Sequence, residues 1–293
     1  MSTIAFIGLG IMGSPMSVHL SNAGHQVVGY NLTPHRTGPL VEAGGVAADS
    51  IAKAVADADI VAIMVPDSPD VQSVLTGEDG VFDNARRNAL IIDFSSIRPD
   101  VTATLAEEAA TRGFRLIDAP VSGGQAGAEN AALSIMVGAS AEDFASAKPI
   151  LDVVGKTVVH VGPNGSGQTV KAANQLIVAG NIQVLAEAIA FLEAYGVDLA
   201  AAVEVLGGGL AGSTALNQKA QKILDRNFDP GFRIDLHHKD LGIVTSAARE
   251  AGVVIPMGAL LAQLMASARA NGDGGLDHSA LYRGVARLSG KEN

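Results

Sequence analysis

The chain has 293 residues, no cysteine, and a formal net charge of −10 from 20 basic and 30 acidic residues. The lack of cysteine excludes disulfides, thiolate catalysis and cysteine-bound zinc, and it is typical of a cytoplasmic protein. Because no Lys/Arg cluster offsets the negative charge, the composition argues against nucleic acid and anionic membranes as partners.

The first half of the chain alternates short β-branched segments with helical ones. Continuous apolar strands between helices are covered on both faces, so they predict a mostly parallel α/β sheet. We also expect no signal peptide, and no membrane-spanning helix, since Asn, Gln or charge interrupts every long apolar run. The predicted strands are TIAFIG, QVVGY, DIVAIMVP, ALIIDFS, RLIDAPV, LSIMVG and TVVHVG.

The strand pattern ends at Gly162, where the loop PNGSG leads into a long predicted helix from about Gly167 to Tyr195. Further helical segments follow, separated by GGGLAGS, NFDPGF and NGDGGLDH. Length and pattern therefore predict two domains joined by the long helix: an α/β domain at residues 1–162 and an all-helical domain at residues 163–293.

The long helix carries one isolated charge, Lys171. No other Asp, Glu, Lys or Arg occurs between Thr157 and Ala186. Burying an ammonium among Val, Ile and Leu is costly unless something compensates it. From the residues alone, the lysine either reaches back to water along its aliphatic stem or serves a site, in which Asn174 shares its helix face and Gln175 lies beside it.

A glycine fingerprint occupies the N-terminus. Gly8, Gly10 and Gly13 have the spacing G-x-G-x-x-G, between a predicted strand and a predicted helix that Gly24 ends. In this context the glycines allow a tight turn, backbone approach to a pyrophosphate and close helix packing. The first domain is thus predicted to be a Rossmann dinucleotide-binding domain, whose phosphate turn also contains Leu9, Ile11 and Met12.

The end of the second strand bears on the choice between NAD and NADP. An acidic residue there would bind the adenosine ribose hydroxyl, but position 31 is asparagine, and His35 and Arg36 follow. A neutral side chain with a cation nearby tolerates a 2′-phosphate better than a carboxylate does. We expect NADP or NAD as cofactor, with NADP slightly favoured, and Asn31 and Arg36 as contacts.

Four motifs together resemble the β-hydroxyacid dehydrogenase family: FIGLGIMGSPM, DAPVSGG at 118–124, GQTVKAANQ at 167–175 and HKDL at 238–241. The resemblance implies a Rossmann domain, a long interdomain helix and an all-α C-terminal domain. GGLAGS at 208–213 and NFDPGFRIDLHHKDL at 227–241 are most similar to members that reduce 2-hydroxy-3-oxopropanoate (tartronate semialdehyde) to glycerate. Gly207 departs from that subgroup, which has arginine at this position.

The resemblance also implies roles for individual residues. Lys171 is the general acid and base, Asn174 and Gln175 bind substrate, and the loop Ser122, Gly123 and Gly124 binds the substrate carboxylate. Taken alone, that loop is a simple turn, and Lys239 with His237, His238 and Asp240 is a solvated helix end. Further implied contacts with the cofactor are Val65, Pro66, Ser96 and Lys239.

Other readings remain open at this point. The alternative substrates within the family are 3-hydroxyisobutyrate, glyoxylate and succinic semialdehyde. The alternative of another class is a nucleotide-binding module without catalysis. The histidines lack the spacing of metal ligands, so we expect no metal. We also expect a small carboxylate-bearing aldehyde or hydroxy acid as substrate, and a homodimer or homotetramer formed through the weakly charged long helix.

Overall fold

The computed structural model describes residues 1–291, which divide into two compact units. The first unit is Met1–Lys171, and the second begins at Ala172. The long predicted helix is present as Ser166–Ala194, which starts in the first unit and continues into the second.

The first unit contains a nine-stranded sheet in the order β3-β2-β1-β4-β5-β6-β8-β7, with β9 paired to β8. The pairs from β3 to β6 are parallel, whereas β8 runs antiparallel to β6 and β7. All seven predicted strands are present; β3 and β7 were missed because two residues are too few to show periodicity. The strands are β1 (Thr3–Ile7), β2 (Gln26–Tyr30), β3 (Val46–Ala47), β4 (Ile60–Ile63), β5 (Leu90–Asp93), β6 (Arg115–Asp118), β7 (Val121–Ser122), β8 (Leu133–Gly138) and β9 (Gly155–Gly162).

Helices cover both faces of this sheet. In β1, Ile4 and Phe6 belong to the apolar cluster on one face, and Ala5 and Ile7 belong to the cluster on the other. Burial on both faces explains why the central strands are apolar throughout. The helices are α1 (Gly13–Asn22), α2 (Gly38–Glu42), α3 (Ile51–Val55), α4 (Ser68–Thr76), α5 (Val81–Asn84), α6 (Pro99–Thr111), α7 (Gly124–Glu129) and α8 (Ala141–Val154).

The strand order reverses between β1 and β4, so the chain leaves these neighbouring strands towards opposite sides of the sheet. The N–H of Met64, just after β4, donates to the carbonyl of Ile7 at the end of β1, at 2.9 Å. Open α/β sheets bind their ligands outside the carboxyl ends of strands at such a reversal. The fold therefore places the turns after β1 and β4 where a dinucleotide is expected.

The second unit is helical throughout its described part, apart from one isolated bridge between Arg233 and Asp277. Its core includes Ile182, Leu241 and Leu261 from three different helices. This architecture confirms the predicted Rossmann domain followed by a helical domain. The helices are α9 (Ser166–Ala194), α10 (Leu199–Gly208), α11 (Thr214–Leu224), α12 (Ile234–Glu250), α13 (Pro256–Ala270) and α14 (Leu281–Leu288).

Among the described helices, α9 is the one whose length and composition would suffice to cross a bilayer. We expected no membrane-spanning helix because polar residues interrupt the apolar run. The mean hydropathy of the most apolar window of α9 is nevertheless 1.6. Of that window, 44% is buried within the structure. Buried core helices of globular proteins meet the same criteria, and the buried Gln168, Lys171 and Gln175 hydrogen bond to other parts of the chain.

Candidate active site

Two glycines of the phosphate turn, Gly8 and Gly13, leave no room for a side chain. Gly8 has a φ of +98°, and a Cβ there would lie 2.2 Å from the carbonyl oxygen of Met64. A Cβ at Gly13 would lie 2.0 Å from the carbonyl oxygen of Gly8. At Gly10, by contrast, the nearest atom is Nη1 of Arg36, at 3.8 Å, so this position faces open space. A turn that is closed inside and open above Gly10 fits a dinucleotide pyrophosphate.

The three other residues of the turn differ in exposure. Leu9 is buried in the core, Met12 is half-buried and Ile11 is exposed. The N–H of Leu9 donates to Oδ1 of Asn31 at 2.9 Å, and Nδ2 of Asn31 donates to the carbonyl of Thr33 at 3.1 Å. Asn31 therefore braces the turn against the end of β2, a role in addition to the predicted contact with the adenosine ribose.

Arg36 is exposed beside this turn, and no ion pair holds its guanidinium within the described part of the chain. The end of β2 carries no carboxylate. A free guanidinium near a phosphate-binding turn can accept an additional phosphate in bidentate fashion. The local charge is thus compatible with the 2′-phosphate of NADP.

The turns after β4 and β5 are linked by hydrogen bonds. The N–H of Val65 donates to Oγ of Ser95 at 3.0 Å, and the N–H of Ser95 donates to the carboxylate of Asp93 at 2.9 Å. Ser95 is fully buried, whereas the adjacent Ser96 is half-buried and Pro66 is exposed. Of the two serines, Ser96 is therefore the more accessible one, and its contact with the cofactor stays a prediction.

A buried carboxylate, missed by sequence reasoning, holds the start of α9. The two side-chain oxygens of Asp118 accept hydrogen bonds from the N–H groups of Gly165, at 2.8 Å, and Gln168, at 3.0 Å. Burial raises the pKa of Asp118 to about 6, and the backbone N–H groups offset only part of that effect. Asp118 thus caps the helix that carries Lys171.

Lys171 does not extend into open solvent. The residue is 8% exposed, and its Nζ donates to the carbonyl of Val121 at 2.7 Å. Because Val121 directly precedes Ser122, this bond brings the ammonium next to the Ser122–Gly124 loop. Snorkelling is therefore the weaker explanation of a lysine on this helix.

The Ser122–Gly124 loop has the backbone that its glycines predict. Gly123 has a φ of +135° and Gly124 a φ of +61°. Ser122 is half-buried, and a Cβ on Gly124 would meet no atom within 4 Å. An open loop with positive φ angles leaves backbone N–H groups available to an anion. The first unit thus combines a buried ammonium and a candidate anion site.

The remaining predicted residues lie in the second unit and hydrogen bond to one another. Nδ2 of Asn174 donates to Oε1 of Gln175 at 2.8 Å, and Nε2 of Gln175 donates to the carboxylate of Asp240. Lys239 forms an ion pair with the same carboxylate, at 3.0 Å. The carboxamide of Asn174 is thereby oriented by a chain of buried polar groups.

The alternative reading of residues 237–240 as a solvated helix end is wrong for two of them. His237 is fully buried and Asp240 is nearly so, because positions 237, 240, 241 and 244 share the inward face of α12. Nε2 of His237 donates to the carbonyl of Gln175, at 3.1 Å. The helical period, applied to α12, could have detected this inward face.

Among residues 1–291, no three His, Asp or Glu side chains cluster as metal ligands.

Two family models together match nearly the whole chain. Residues 3–162 match the NAD binding domain of 6-phosphogluconate dehydrogenase. Residues 165–285 match the NAD-binding domain of NADP-dependent 3-hydroxyisobutyrate dehydrogenase. Both matches support a bound NAD or NADP, in agreement with the glycine turn.

Individual relatives span the same length. The chain is 40% identical to 2-hydroxy-3-oxopropionate reductase of Escherichia coli over 98% of each chain. It is 38% identical to 3-hydroxyisobutyrate dehydrogenase of Pseudomonas aeruginosa over 97% of this chain and 99% of the relative. The solved structure of Mycobacterium tuberculosis 3-hydroxyisobutyrate dehydrogenase with L-serine superposes with a TM-score of 0.89 at 32% identity, covering 97% of this chain and 99% of that one. The chain therefore belongs to the β-hydroxyacid dehydrogenase family of NAD(P)-dependent oxidoreductases.

Proposed function

We propose that this chain reduces 2-hydroxy-3-oxopropanoate to glycerate, with Lys171 as the general acid. The observation that carries the proposal is the bond from Nζ of Lys171 to the carbonyl of Val121, at 2.7 Å. It holds a buried ammonium beside the open Ser122–Gly124 loop. Reduction of an aldehyde that bears a carboxylate needs a proton donor and an anion site close to each other.

Each residue of the proposed site has a separate role in the reaction. The reduced nicotinamide, when bound, supplies the hydride. Lys171 stabilises the negative charge that develops on the carbonyl oxygen and donates a proton to it; in oxidation it takes the alcohol proton back. The N–H groups and hydroxyl of Ser122–Gly124 hold the substrate carboxylate. Asn174, three residues further along α9, orients the substrate in this proposal.

Sequence similarity supports the choice of substrate within the family. The chain is 40% identical to 2-hydroxy-3-oxopropionate reductase and 38% identical to 3-hydroxyisobutyrate dehydrogenase. The GGLAGS segment at 208–213 adds to the first likeness, whereas Gly207, at the end of α10, lacks the guanidinium expected there. Oxidation of 3-hydroxyisobutyrate is the alternative activity, and glyoxylate and succinic semialdehyde complete the panel to be assayed.

For the cofactor we propose a slight preference for NADP, based on Arg36. Its exposed guanidinium next to Gly10 has no acidic partner in the described chain. Arg36→Ala is expected to lower kcat/KM for NADPH by roughly tenfold, about 1.4 kcal/mol, and to leave NADH nearly unchanged. Equal losses with both cofactors would refute a contact with the 2′-phosphate.

We further propose that the chain forms a homo-oligomer through its second unit. Ile177, Val184 and Phe191 repeat every seven residues along one side of α9, and each is more than half exposed. Helix α10, with the sequence LAAAVEVLGG, buries none of its residues. Matching apolar faces suit an isologous contact with a second copy. Light scattering is expected to give a dimer or tetramer, and Val184→Glu should dissociate it; a monomeric wild type would refute the contact.

The role of Lys171 is tested with Lys171→Met and Lys171→Arg. Methionine fills similar space but has no ionisable proton, so kcat should fall by about 10²–10⁴-fold. The affinity for NADPH, measured by fluorescence titration, should stay nearly constant. Arginine should not restore the rate, because guanidinium is a poor proton donor and has a different shape. Lys156→Met, which removes an exposed lysine of β9, is the control for lost charge. Near-wild-type kcat in Lys171→Met would refute the proposal.

The anion site is tested with a substrate that lacks the carboxylate. Glycolaldehyde should lose at least about a hundredfold in kcat/KM relative to 2-hydroxy-3-oxopropanoate, since the loop N–H groups would be left without a partner. Ser122→Ala should narrow the difference between the two substrates. Equal turnover of both aldehydes by the wild type would contradict the assignment of the loop.

A further inference from the structure

Gln168 is a buried polar side chain at the carboxyl edge of the sheet, with both ends of its carboxamide hydrogen bonded, and the sequence motifs assign it no role. We propose that Gln168 is a positioning residue that couples the turn after β5 to the helix turn bearing Lys171. The proposal rests on the function proposed above for Lys171 and on the cofactor contact expected at Ser96. The hydrogen bonds of Gln168 would connect the turn that contains Ser96 to the helix turn that contains Lys171.

The side chain of Gln168 clamps the β5 turn on both sides of Ser96. Its Oε1 accepts from the N–H of Ile97 at 3.1 Å, and its Nε2 donates to the carbonyl of Ser95 at 2.8 Å. Gln168 is 1% exposed, so no water replaces either bond if it is lost. A carboxamide that pairs with residues i and i+2 of a turn fixes the backbone of the residue between them.

The backbone of Gln168 is fixed separately. Its N–H donates to Oδ2 of Asp118 at 3.0 Å, while the other oxygen of that carboxylate accepts from Gly165. The first turn of α9 is thus held from the ends of two strands, β5 through the side chain and β6 through the main chain. Neither attachment can shift without disturbing the other.

The connection extends in both directions from Gln168. On one side, Ser95 accepts from the N–H of Val65, so the turns after β4 and β5 are joined. On the other side, Lys171 follows three residues later on the same helix face. A dinucleotide that orders the turns at Val65 and Ser96 would therefore restrain the helix turn that carries the proton donor.

Hydrogen exchange tests this coupling without relying on turnover. In the wild type, NADPH is expected to slow exchange both in the 95–98 segment and at the start of α9, residues 165–171. In Gln168→Met, which keeps the volume but removes both side-chain bonds, NADPH should still bind but its protection of 165–171 should be lost. Gln183→Met is the matched control, since Gln183 is also buried on α9 but bonds only Glu187 within the contacts described. Protection that persists in Gln168→Met would overturn the proposal.

A second variant makes the two side-chain hydrogen bonds of position 168 depend on pH. Protonated glutamic acid at position 168 can donate to Ser95 and accept from Ile97, whereas the carboxylate cannot donate. Burial raises the pKa of such a group. The ratio of Gln168→Glu to wild-type kcat is therefore expected to rise as the pH falls from about 8 to about 5. The ratio for Gln168→Met should stay low throughout, roughly tenfold to a hundredfold below wild type.

A ratio for Gln168→Glu that is independent of pH would overturn the coupling. If Gln168→Met fails to fold, both the hydrogen exchange and kcat are measured on Gln168→Glu instead, at about pH 8 and about pH 5. Normal kcat in Lys171→Met, together with lost protection in Gln168→Met, would refute the proposed function but leave the coupling intact. The two proposals therefore fail separately.

Discussion

Asp118 in the first unit and Asp277 in the second are both fully buried, but the two carboxylates have different surroundings. In the first unit, Asp118 accepts backbone N–H bonds from Gly165 and Gln168 and forms no ion pair with a described residue. In the second, Asp277 accepts N–H bonds from Gly231, Phe232 and Ser279, and in addition the ammonium of Lys219 bonds both of its oxygens, at 2.8 and 3.0 Å. Helix dipoles compensate one charge, and a buried cation compensates the other.

The pKa values of the two carboxyls differ accordingly. Burial raises the pKa of Asp118 to about 6 despite its N–H donors. Burial would also raise the pKa of Asp277, but His278, Lys219 and the Ser279 hydroxyl reverse the effect and hold that pKa below its usual range. Backbone N–H groups alone thus compensate a buried carboxylate less completely than N–H groups combined with an ammonium and a hydroxyl. The incompletely compensated charge is the one at the start of the helix that carries Lys171.

The largest expected effect comes from breaking the ion pair of the second unit. Asp277→Asn leaves Lys219, which is nearly buried, without its partner, and should lower the free energy of unfolding by about 3–5 kcal/mol. The free energy of unfolding would be measured by urea denaturation, with unfolding of the second unit monitored through hydrogen exchange in its peptides. Lys219→Met combined with Asp277→Asn should recover part of the loss. A cost below about 1 kcal/mol for Asp277→Asn would contradict the role given to the pair.

The same substitution in the first unit should cost far less. Asp118→Asn removes one acceptor, which costs about 1 kcal/mol, but it also removes a buried charge. We expect the free energy of unfolding at neutral pH to change by about 1 kcal/mol or less. The measurement is the same denaturation, with exchange followed in peptides of the first unit. A loss as large as that of Asp277→Asn would show that the helix start compensates charge as well as a lysine does.

The pH dependence of stability separates the two units further, because they should respond in opposite directions. Because the pKa of Asp118 is raised in the folded state, its stabilising contribution is complete below about pH 3.8 and is lost as the pH rises through about 6. Relative to Asp118→Asn, the wild type should therefore lose up to about 3 kcal/mol between those values. A difference independent of pH would contradict the raised pKa.

In the second unit, burial first, and then His237 and Lys219, lower the pKa of His278 well below its usual value. The unfolded chain then binds a proton below about pH 6.5 that the folded chain does not, so stability falls as the pH falls, by up to about 1.4 kcal/mol per pH unit. Denaturation of the wild type and His278→Gln at several pH values would measure the difference. A wild type that gained stability relative to the variant on acidification would contradict this sign.

Much of the candidate site was predictable because its parts are local in sequence. The glycine turn at residues 8–13 depends on a strand, a turn and a helix that follow one another. The loop at Ser122–Gly124 and the face shared by Lys171 and Asn174 likewise come from short segments with a recognisable spacing. Each of these could be assigned before any long-range contact was known.

The residues that were missed act across long separations in the chain. Gln168 contacts Ser95 and Ile97 about seventy positions earlier, and Asp118 contacts Gly165 and Gln168 about fifty positions later. A glutamine in an apolar helix and an aspartate at a strand end have no pattern that indicates such partners. His237 and Asp240 were hidden for a related reason, since a run of polar residues at a helix start is most often exposed.

The class of each domain, the dinucleotide turn and the family follow from local patterns, because apolar periodicity and glycine spacing are set by short-range sterics. Which polar groups are buried, and what compensates them, depends on long-range packing. Desolvation and hydrogen bonding depend on atoms that folding brings together from distant parts of the chain. That is why Lys171 could be noticed in the sequence as an isolated charge, while its partner Val121 and its helix cap Asp118 appeared only in the fold.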